Sequence, residues 1–183
     1  MKLVLFALLA FCPAFAQQAP KASWRQILED RLHYYGHRNW VVVADSAYPL
    51  QSAPGIETIL SDENQVETVR HVLMALSRAP HLRPVVYLDK QLSFVPEEDA
   101  SGITAYRQLL TGTLEKFLPD QKPVALPHEQ VIHDLDQASK TFNVLIIKTN
   151  MALPYTSVFF ELRAGYWGDE PESRLQRLMQ AHQ

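Results

Sequence analysis

A histidine and an aspartate flank a short apolar segment early in the sequence. His37 precedes residues 40–44, which have the sequence WVVVA, and Asp45 follows them. An apolar run of this length between polar residues predicts a buried strand, and ligand-binding groups collect outside the carboxyl ends of strands in open α/β sheets. Imidazole and carboxylate groups are common proton-transfer groups in active sites. The segment therefore predicts a proton-handling pair, His37 and Asp45.

Two further side chains are candidates for the same chemistry. His133 lies in a predicted helix, and Tyr155 follows Pro154 in a loop between two apolar runs. Each of the four candidates has an ordinary structural alternative. His37 could stabilise the end of a helix, Asp45 could cap a turn, His133 could be a surface residue and Tyr155 a core residue. Taken singly, none of them identifies an enzyme.

The elements that must position these side chains alternate between helices and strands. Ser23, with Gln26 three residues later, predicts a capping box at the start of a helix. The predicted helices span about residues 23–35, 62–79, 103–117, 128–141 and 170–183, with Asp62 and Gln65 opening the second. The side chains expected to point inward from the third helix are Tyr106, Leu109, Leu110, Leu114 and Phe117. The predicted strands span residues 40–44, 84–88, 124–126, 143–149 and 158–162, and residues 46–61 are expected to be a loop.

This alternation of helices with short apolar strands indicates an α/β fold. The chain has 183 residues, 47% of them hydrophobic, which is enough to bury the core of one domain. We therefore predict a single three-layer α/β domain whose central, mostly parallel sheet is flanked by helices. Residues 143–149 and 158–162 are expected to be the two central strands, although they are close enough along the chain to be antiparallel. Residues 170–183 are expected to form an exposed or partner-packed helix.

The N-terminus has the pattern of a secretory signal peptide. Lys2 provides the positive start, residues 3–11 the apolar region, and residues 14–16, Ala-Phe-Ala, a cleavage site. The alternative is an ordinary buried N-terminal helix. We expect residues 1–16 to be removed, residues 17–22 to be a linker and residues 23–183 to form the domain, so that the protein is exported to a periplasmic or extracellular location. Removal would also take away Cys12, the single cysteine.

Composition and motifs exclude several classes of function. The net charge of −3 and the pI of about 6.1 disfavour nucleic acid and anionic membranes as partners. No HExxH or paired-cysteine spacing occurs, so we expect no metal site, and no glycine-rich loop or GxSxG motif follows a strand. The sequence therefore predicts a protein without metal or cofactor and, after removal of the signal peptide, without a membrane segment.

Three segments resemble the D-ribose pyranase / L-fucose mutarotase family. Residues 36–49, GHRNWVVVADSAYP, are similar to the family's opening Gly-His-x-x-apolar-Asp-x-x-x-Pro pattern. Residues 127–140, PHEQVIHDLDQASK, resemble its late helix, and residues 148–160, KTNMALPYTSVFF, resemble its closing Arg-Thr-Gly-Glu-x-Thr-Pro-Tyr-Ala-Asn strand-loop-strand. The order of elements is compatible with the family from about residue 23 to residue 165. Five positions of the closing segment depart from the family pattern: Lys148, Asn150, Met151, Leu153 and Ser157.

The resemblance implies a fold, an activity and a site. The expected activity is cofactor-independent interconversion of the anomers or ring forms of a free monosaccharide by general acid-base catalysis. The resemblance assigns the acid-base role to His37, and it assigns sugar binding to Asp45, His133, Tyr155, Thr156 and Ser157. It also implies a ring-like homo-oligomer such as a decamer. The aromatic pairs Phe159–Phe160 and Tyr166–Trp167 are compatible with a buried subunit interface. The alternative functions are a non-catalytic exported sugar-binding protein on the same fold and a metal-dependent exported hydrolase.

Overall fold

The computed structural model describes residues 22–182, which form five α-helices, six strands and one short 3-10 helix. The helices are α1 (Trp24–Tyr34), α2 (Gln65–Ser77), α3 (Ile103–Phe117), α4 (His128–Ser139) and α5 (Asp169–Gln180). The strands are β1 (Trp40–Ala44), β2 (Ile56–Leu60), β3 (Leu82–Asp89), β4 (Val124–Leu126), β5 (Val144–Lys148) and β6 (Val158–Ala164). The 3-10 helix, Lys90–Ser93, follows β3 directly. The predicted signal peptide and residues 17–21 of the predicted linker lie outside the described residues.

The six strands form one sheet in the order β2-β5-β1-β6-β3-β4. Five of them run in the same direction, and β6 runs antiparallel to both of its neighbours, β1 and β3. This confirms the predicted mostly parallel sheet. The last two strands, β5 and β6, do run in opposite directions, but they do not pair because β1 lies between them. Both predicted central strands are interior strands of the sheet: β5 lies between β2 and β1, and β6 lies between β1 and β3.

The edge strand β2 lies in the segment that the sequence predicted to be a loop. Its five residues are half-buried or exposed, and it pairs in parallel with β5 from Ile56↔Val144 to Leu60↔Lys148. Gly55 lets this pairing begin, because a Cβ atom there would lie 2.3 Å from the backbone oxygen of Ser139. An edge strand is buried on fewer sides than a central one and therefore carries a weaker apolar pattern, which is why the prediction missed it.

Helices cover both faces of the sheet, which confirms the three layers. Helices α1, α2 and α3 pack on one face against alternate β1 and β5 residues such as Val41, Val43 and Leu145. Helix α4 packs on the other face through Val131 and Leu135. Because β1 and β5 are buried on both faces, their sequences are continuous apolar runs instead of alternating ones.

Most predicted helix boundaries agree with the structure. The capping box of α1 is present, with the Ser23 hydroxyl accepting a hydrogen bond from the Gln26 amide at 3.3 Å and the Gln26 side chain accepting one from the Ser23 amide at 2.9 Å. Helix α2 is capped by Asn64, whose Oδ1 accepts a hydrogen bond from the Val66 amide at 2.9 Å, and not by Asp62. Asp62 instead has a left-handed φ of 54°, whereas an N-cap residue has an extended backbone.

Three apolar side chains differ from their predicted positions. Leu109 is exposed, because the buried side of α3 follows Ile103, Tyr106 and Leu110 and leaves Leu109 beside it. Phe159 and Phe160 are fully buried on opposite faces of β6, so this pair belongs to the core of the domain and not to a subunit interface.

Candidate functional site

The topology gathers polar residues at the carboxyl edge of the sheet. Asp45 follows β1, and Asp89 is the last residue of β3. Since β6 is antiparallel and lies between these two strands, its first residue, Val158, pairs with Val43 on one side and Leu88 on the other. The segment just before β6, residues 155–157, therefore enters between the two aspartates. The same edge is where α/β sheets bind ligands.

A histidine reaches this edge from the second face. The short strand β4 pairs in parallel with β3, with Leu126 opposite Asp89. Helix α4 begins two residues later, so His128, its first residue, is placed beside the end of β3. The backbone N–H of His128 donates a hydrogen bond to the Gln91 side chain at 3.0 Å, which fixes the start of the helix against the 3-10 turn.

Asp45 is oriented by the residue before β6. The Ser157 hydroxyl donates a hydrogen bond to Asp45 Oδ2 at 2.9 Å, and the Ala47 amide donates one to Asp45 Oδ1, also at 2.9 Å. Both carboxylate oxygens are thus held while the side chain remains half-buried. A carboxylate has further lone pairs, so Asp45 can still accept a hydrogen bond from a ligand hydroxyl.

Asp89 and His128 form a buried pair. Asp89 Oδ1 lies 3.2 Å from His128 Nδ1, and the side chain of Asp89 is only 1% exposed. The two atoms are within ion-pair distance, yet they lack the alignment of a hydrogen bond. Burial raises the pKa of Asp89 above its ordinary value; His128 partly offsets this rise, and the negative charge of Asp45 adds to it. The pair is therefore suited to hold and exchange a proton.

Tyr155 borders this pair on the solvent side. Its ring lies edge-on to the His128 ring, with centroids 5.5 Å apart and an interplanar angle of 77°. The Tyr155 side chain is 38% exposed, and its backbone has a φ of 57°, a left-handed conformation that non-glycine residues rarely adopt. Such backbone conformations cluster at functional sites. The conformation presents an accessible aromatic ring beside His128.

The buried tyrosine Tyr48 lies in the same region. Its hydroxyl has no hydrogen-bond partner in the described part of the chain. Burial raises the pKa of Tyr48, and the carboxylates of Asp136, Asp89 and Asp45 raise it further. Buried polar atoms are nearly always hydrogen-bonded, so the unpaired atoms of Tyr48, Asp89 and His128 mark this edge as a candidate ligand site.

An open groove continues from this cluster. It has a volume of about 470 Å³ and is lined mainly by apolar surface from Lys90, Gln91, Phe94, Val95, Pro127 and Tyr155. Tyr155 is the boundary between the groove and the polar residues. The volume lies within the range of small-molecule sites, roughly 300–1,000 Å³, so a ligand could contact the polar cluster and the groove together.

The structure brings four of the six predicted site residues to this edge. Asp45, Tyr155, Thr156 and Ser157 all lie there. Thr156 is fully buried, however, and its carbonyl oxygen accepts hydrogen bonds from inside the protein, at 2.8 Å from Gln65 Nε2 and at 2.5 Å from the Tyr106 hydroxyl.

The two predicted histidines lie elsewhere. His37 is exposed at the amino end of β1, where the next residue, Arg38, bonds to the backbone of Leu162 at 2.8 Å. A strand of five residues extends about 16 Å, so His37 and Asp45 do not form a pair within one chain. His133 is exposed on α4, on the side away from Val131 and Leu135, and it does not reach the edge either.

Sequence reasoning missed Asp89 and His128. Asp89 ends an apolar run in the same way as Asp45, and that signal was available. His128 lies in the segment that resembles the family's late helix, but the spacing to Lys148 selected His133 five residues later. The first turn of a helix after a strand is the part that faces the sheet edge, which favours His128.

Residues of the closing segment that depart from the family pattern make different kinds of contact. Lys148 Nζ donates a hydrogen bond to the Tyr48 carbonyl oxygen at 2.6 Å. Met151 and Leu153 pack against the larger core. Ser157 is the residue that orients Asp45, so of these four departures only Ser157 directly contacts a candidate site carboxylate.

Within residues 22–182, no group of three or more histidine, cysteine, aspartate or glutamate side chains is arranged to hold a metal ion. No described helix has the length and apolar character needed to cross a membrane.

Comparison with known proteins identifies the fold. No protein-family model matches the sequence, and no curated protein matches it. Among solved structures, Bacillus subtilis RbsD complexed with D-ribose is similar with a TM-score of 0.52 and 19% identity, covering 82% of this chain and 100% of that one. FucU from Bifidobacterium longum is similar with a TM-score of 0.51 and 14% identity, covering 75% of this chain and 92% of that one. The domain therefore has the single-domain α/β fold of RbsD and FucU, as the sequence motifs predicted.

Proposed function

We propose that this protein is a sugar mutarotase or pyranase that interconverts cyclic forms of a free monosaccharide without a cofactor. The observation that carries the proposal is the His128–Asp89 pair beside the Ser157-oriented carboxylate of Asp45, with the exposed ring of Tyr155 next to them. The fold and the three sequence segments support it. Sugar ring opening needs proton-transfer groups and hydroxyl-binding groups, and this edge provides both.

Opening of a sugar ring requires one proton to be gained and another to be lost. In ring opening the bond between the anomeric carbon and the ring oxygen breaks, its electron pair stays on the ring oxygen, and that oxygen takes a proton. The anomeric hydroxyl loses a proton, and its O–H electron pair forms the carbonyl bond of the open aldehyde. Closure from the other face, or through another hydroxyl, reverses these steps. A well-placed general acid or base contributes roughly 100- to 10,000-fold to such a rate.

Each residue has a proposed role. His128 exchanges the proton with the ring oxygen, because imidazole can both donate and accept near neutral pH. Asp89 holds the orientation of the His128 ring and balances its charge when it is protonated. Asp45 accepts the hydrogen bond of the anomeric hydroxyl and receives its proton, and Ser157 keeps Asp45 in place. Tyr155 covers one face of the sugar with its ring.

The experiment is saturation-transfer NMR on free ribose, fucose and other aldoses. We expect wild-type protein to accelerate exchange between anomers or ring forms, and we expect His128→Gln to lose that acceleration. His33→Gln is the matched control, because it makes the same substitution at an exposed histidine near the end of α1, away from the polar edge. Absence of exchange with every aldose, or full exchange by a folded His128→Gln protein, would contradict the proposal.

A non-catalytic sugar-binding protein is the second candidate. It is favoured by one observation: the only hydroxyl of Ser157 is already donated to Asp45, so this position offers a ligand less hydrogen bonding than the amide of the family pattern. Line broadening of sugar signals without exchange would select this function.

We also propose that the protein self-associates. Helix α5 has no buried residue, and Leu175, Leu178 and Met179 are exposed on it. These side chains lie at helical spacing on one face of α5, and contiguous exposed apolar patches mark interaction sites. His37 and His133 would contribute to sugar binding only if a second copy carried them to the edge of the first. Light scattering would test the assembly, with a ring as large as a decamer among the expected states and a monomer as the refuting result.

The location of the protein is a proposal from the sequence alone. We propose export to a periplasmic or extracellular location after cleavage behind residue 16, on the pattern of residues 1–16. N-terminal sequencing of protein recovered outside the cytoplasm should begin at Gln17. Full-length protein retained in the cytoplasm would contradict it.

A further inference from the structure

A buried polar network lies directly beneath the segment that carries Tyr155 and Ser157. Gln65, the first residue of α2, is 0% exposed. Its Nε2 atom donates hydrogen bonds to the Thr156 carbonyl oxygen at 2.8 Å and to the Val43 carbonyl oxygen at 3.0 Å. Its Oε1 atom accepts a hydrogen bond from the Thr149 hydroxyl. One side chain therefore joins β1, the end of β5 and the segment before β6.

A second buried side chain holds the same carbonyl group. Tyr106, from α3, donates its hydroxyl hydrogen to the Thr156 carbonyl oxygen at 2.5 Å. The Thr156 hydroxyl in turn donates to the Leu153 carbonyl oxygen at 2.8 Å. The peptide group that joins Thr156 to Ser157 thus has both lone pairs of its carbonyl occupied by donors from two different helices. It cannot rotate without leaving buried donors unpaired, which is costly.

This anchoring restricts the chain immediately after Tyr155, which has a left-handed backbone. Its φ of 57° is unfavourable for a residue with a Cβ atom, so the surrounding structure must hold it. Thr156 is the next residue, and its fixed carbonyl restricts the peptide plane that follows. On either side of this anchor, the Tyr155 ring meets the His128 ring edge-on, and the Ser157 hydroxyl bonds to Asp45.

The network also acts on the strand that presents Asp45. Val43, whose carbonyl oxygen accepts a hydrogen bond from Gln65, is two residues before Asp45, and the Ala44 carbonyl oxygen accepts a hydrogen bond from the Thr149 amide at 2.9 Å. The backbone segments that carry Asp45 and Ser157 are therefore both bonded to one shared group, the Gln65 amide. If Gln65 only filled the core, an apolar side chain of similar size could replace it without moving Asp45 or Ser157.

We propose that Gln65 and Tyr106 are positioning residues that set the Tyr155 ring and the Ser157 hydroxyl relative to His128 and Asp45. Neither side chain lines the groove or hydrogen-bonds to the side chain of a candidate site residue, and both bond to the Thr156 backbone, so they act through the backbone. The expected effect on kcat rests on the proposed function, whereas the expected displacement of the Tyr155 and His128 rings does not.

The test compares Tyr106→Phe with Tyr35→Phe. Each substitution removes one hydroxyl from a buried tyrosine, and Tyr35 lies at the end of α1, outside the network. In protein labelled in its tyrosine and histidine rings, we expect Tyr106→Phe to shift the NMR signals of Tyr155 and His128 and to lower kcat about tenfold or more, since small misplacements in a site reduce rates strongly. Tyr35→Phe should change neither. Gln65→Met, on a different helix, should reproduce the shifts.

Two results would overturn the inference. One is a folded Tyr106→Phe protein, less stable than wild type, whose Tyr155 and His128 signals and kinetics are unchanged. The other is an equal shift of those signals in Tyr35→Phe. If Tyr106→Phe does not fold, Gln65→Met decides by the same criteria. If wild-type protein shows no sugar exchange, the proposed function fails, and the ring signals still decide whether Gln65 and Tyr106 position the site.

Discussion

Replacement of Asp89 by asparagine should separate catalysis from stability. The carboxylate oxygen lies 3.2 Å from the His128 ring nitrogen, and the Asp89 side chain is almost completely buried. At an effective dielectric constant of about 20, two unit charges at this distance interact by about 5 kcal/mol. Because the His128 side chain is 34% exposed and the two atoms are poorly aligned, we take about 1–2 kcal/mol of this as the loss.

This loss converts to a rate effect that can be measured. About 1–2 kcal/mol of transition-state stabilisation corresponds to about a 5- to 30-fold decrease in kcat. KM should change little, since Asp89 is too buried to bind sugar directly. The assay is saturation-transfer NMR over a range of sugar concentrations. Asp120→Asn, at an exposed aspartate after α3, is the matched control and should leave kcat unchanged.

The same substitution should not destabilise the protein at neutral pH. Burial raises the pKa of Asp89 in the folded state above its unfolded value, so folding favours the protonated carboxyl. That contribution to the free energy of unfolding is present at low pH and is lost as the pH rises through the raised pKa. Asparagine has no such loss, so the variant should have equal or higher thermal stability than wild type at pH 7. Its advantage should disappear at low pH.

Either of two results would refute the proposed role of Asp89. Unchanged kcat in a folded Asp89→Asn protein would show that the pair has no role in proton transfer. A decrease in kcat accompanied by a lower melting temperature at pH 7 would show that Asp89 is a structural residue whose loss disturbs the edge.

Three further predictions concern the site and the surface. His128→Gln should reduce accelerated exchange by about 100-fold or more, as expected for a general acid-base group, whereas His37→Gln should leave it unchanged in any preparation that light scattering shows to be monomeric. A sugar with a methyl group in place of a hydroxymethyl group should have a lower KM than its hydroxylated counterpart, because the groove is apolar. Phe94→Ala should remove that difference in KM. Equal KM values for the two sugars in wild type would show that the sugar does not use the groove. Leu178→Glu on α5 should lower the mass measured by light scattering if α5 covers a neighbouring copy, and an unchanged mass would exclude α5 from the interface.

Several features of this protein follow from the sequence by itself. The alternation of helical and strand patterns indicates the three-layer fold, because a helix with one apolar face and a strand with two can bury their surfaces in few other ways. The capping box at Ser23 and the bounds of α3 were predicted correctly from local signals, since these depend on neighbouring residues. Asp45 and Tyr155 were both placed at strand ends by the same local reasoning.

The separation of His37 from Asp45 was also implied by the sequence. A buried strand of five residues is extended, so its two ends lie about 16 Å apart. The expectation of a single-chain pair conflicted with the strand prediction on which it depended. The positions of these two residues at opposite ends of β1 follow from strand geometry alone.

The tertiary structure decided which residues meet. The insertion of β6 between β1 and β3 brings Ser157 to Asp45, 112 residues earlier in the chain, and the pairing of Leu126 with Asp89 brings His128 to the end of β3. These contacts depend on strand order and register, which are settled by the packing of the whole sheet and leave no local pattern. The same holds for Gln65, whose position at a helix start gave no sign that its amide would bond to Val43 and Thr156. Local sequence therefore determined the elements, and the packing of distant elements determined the site.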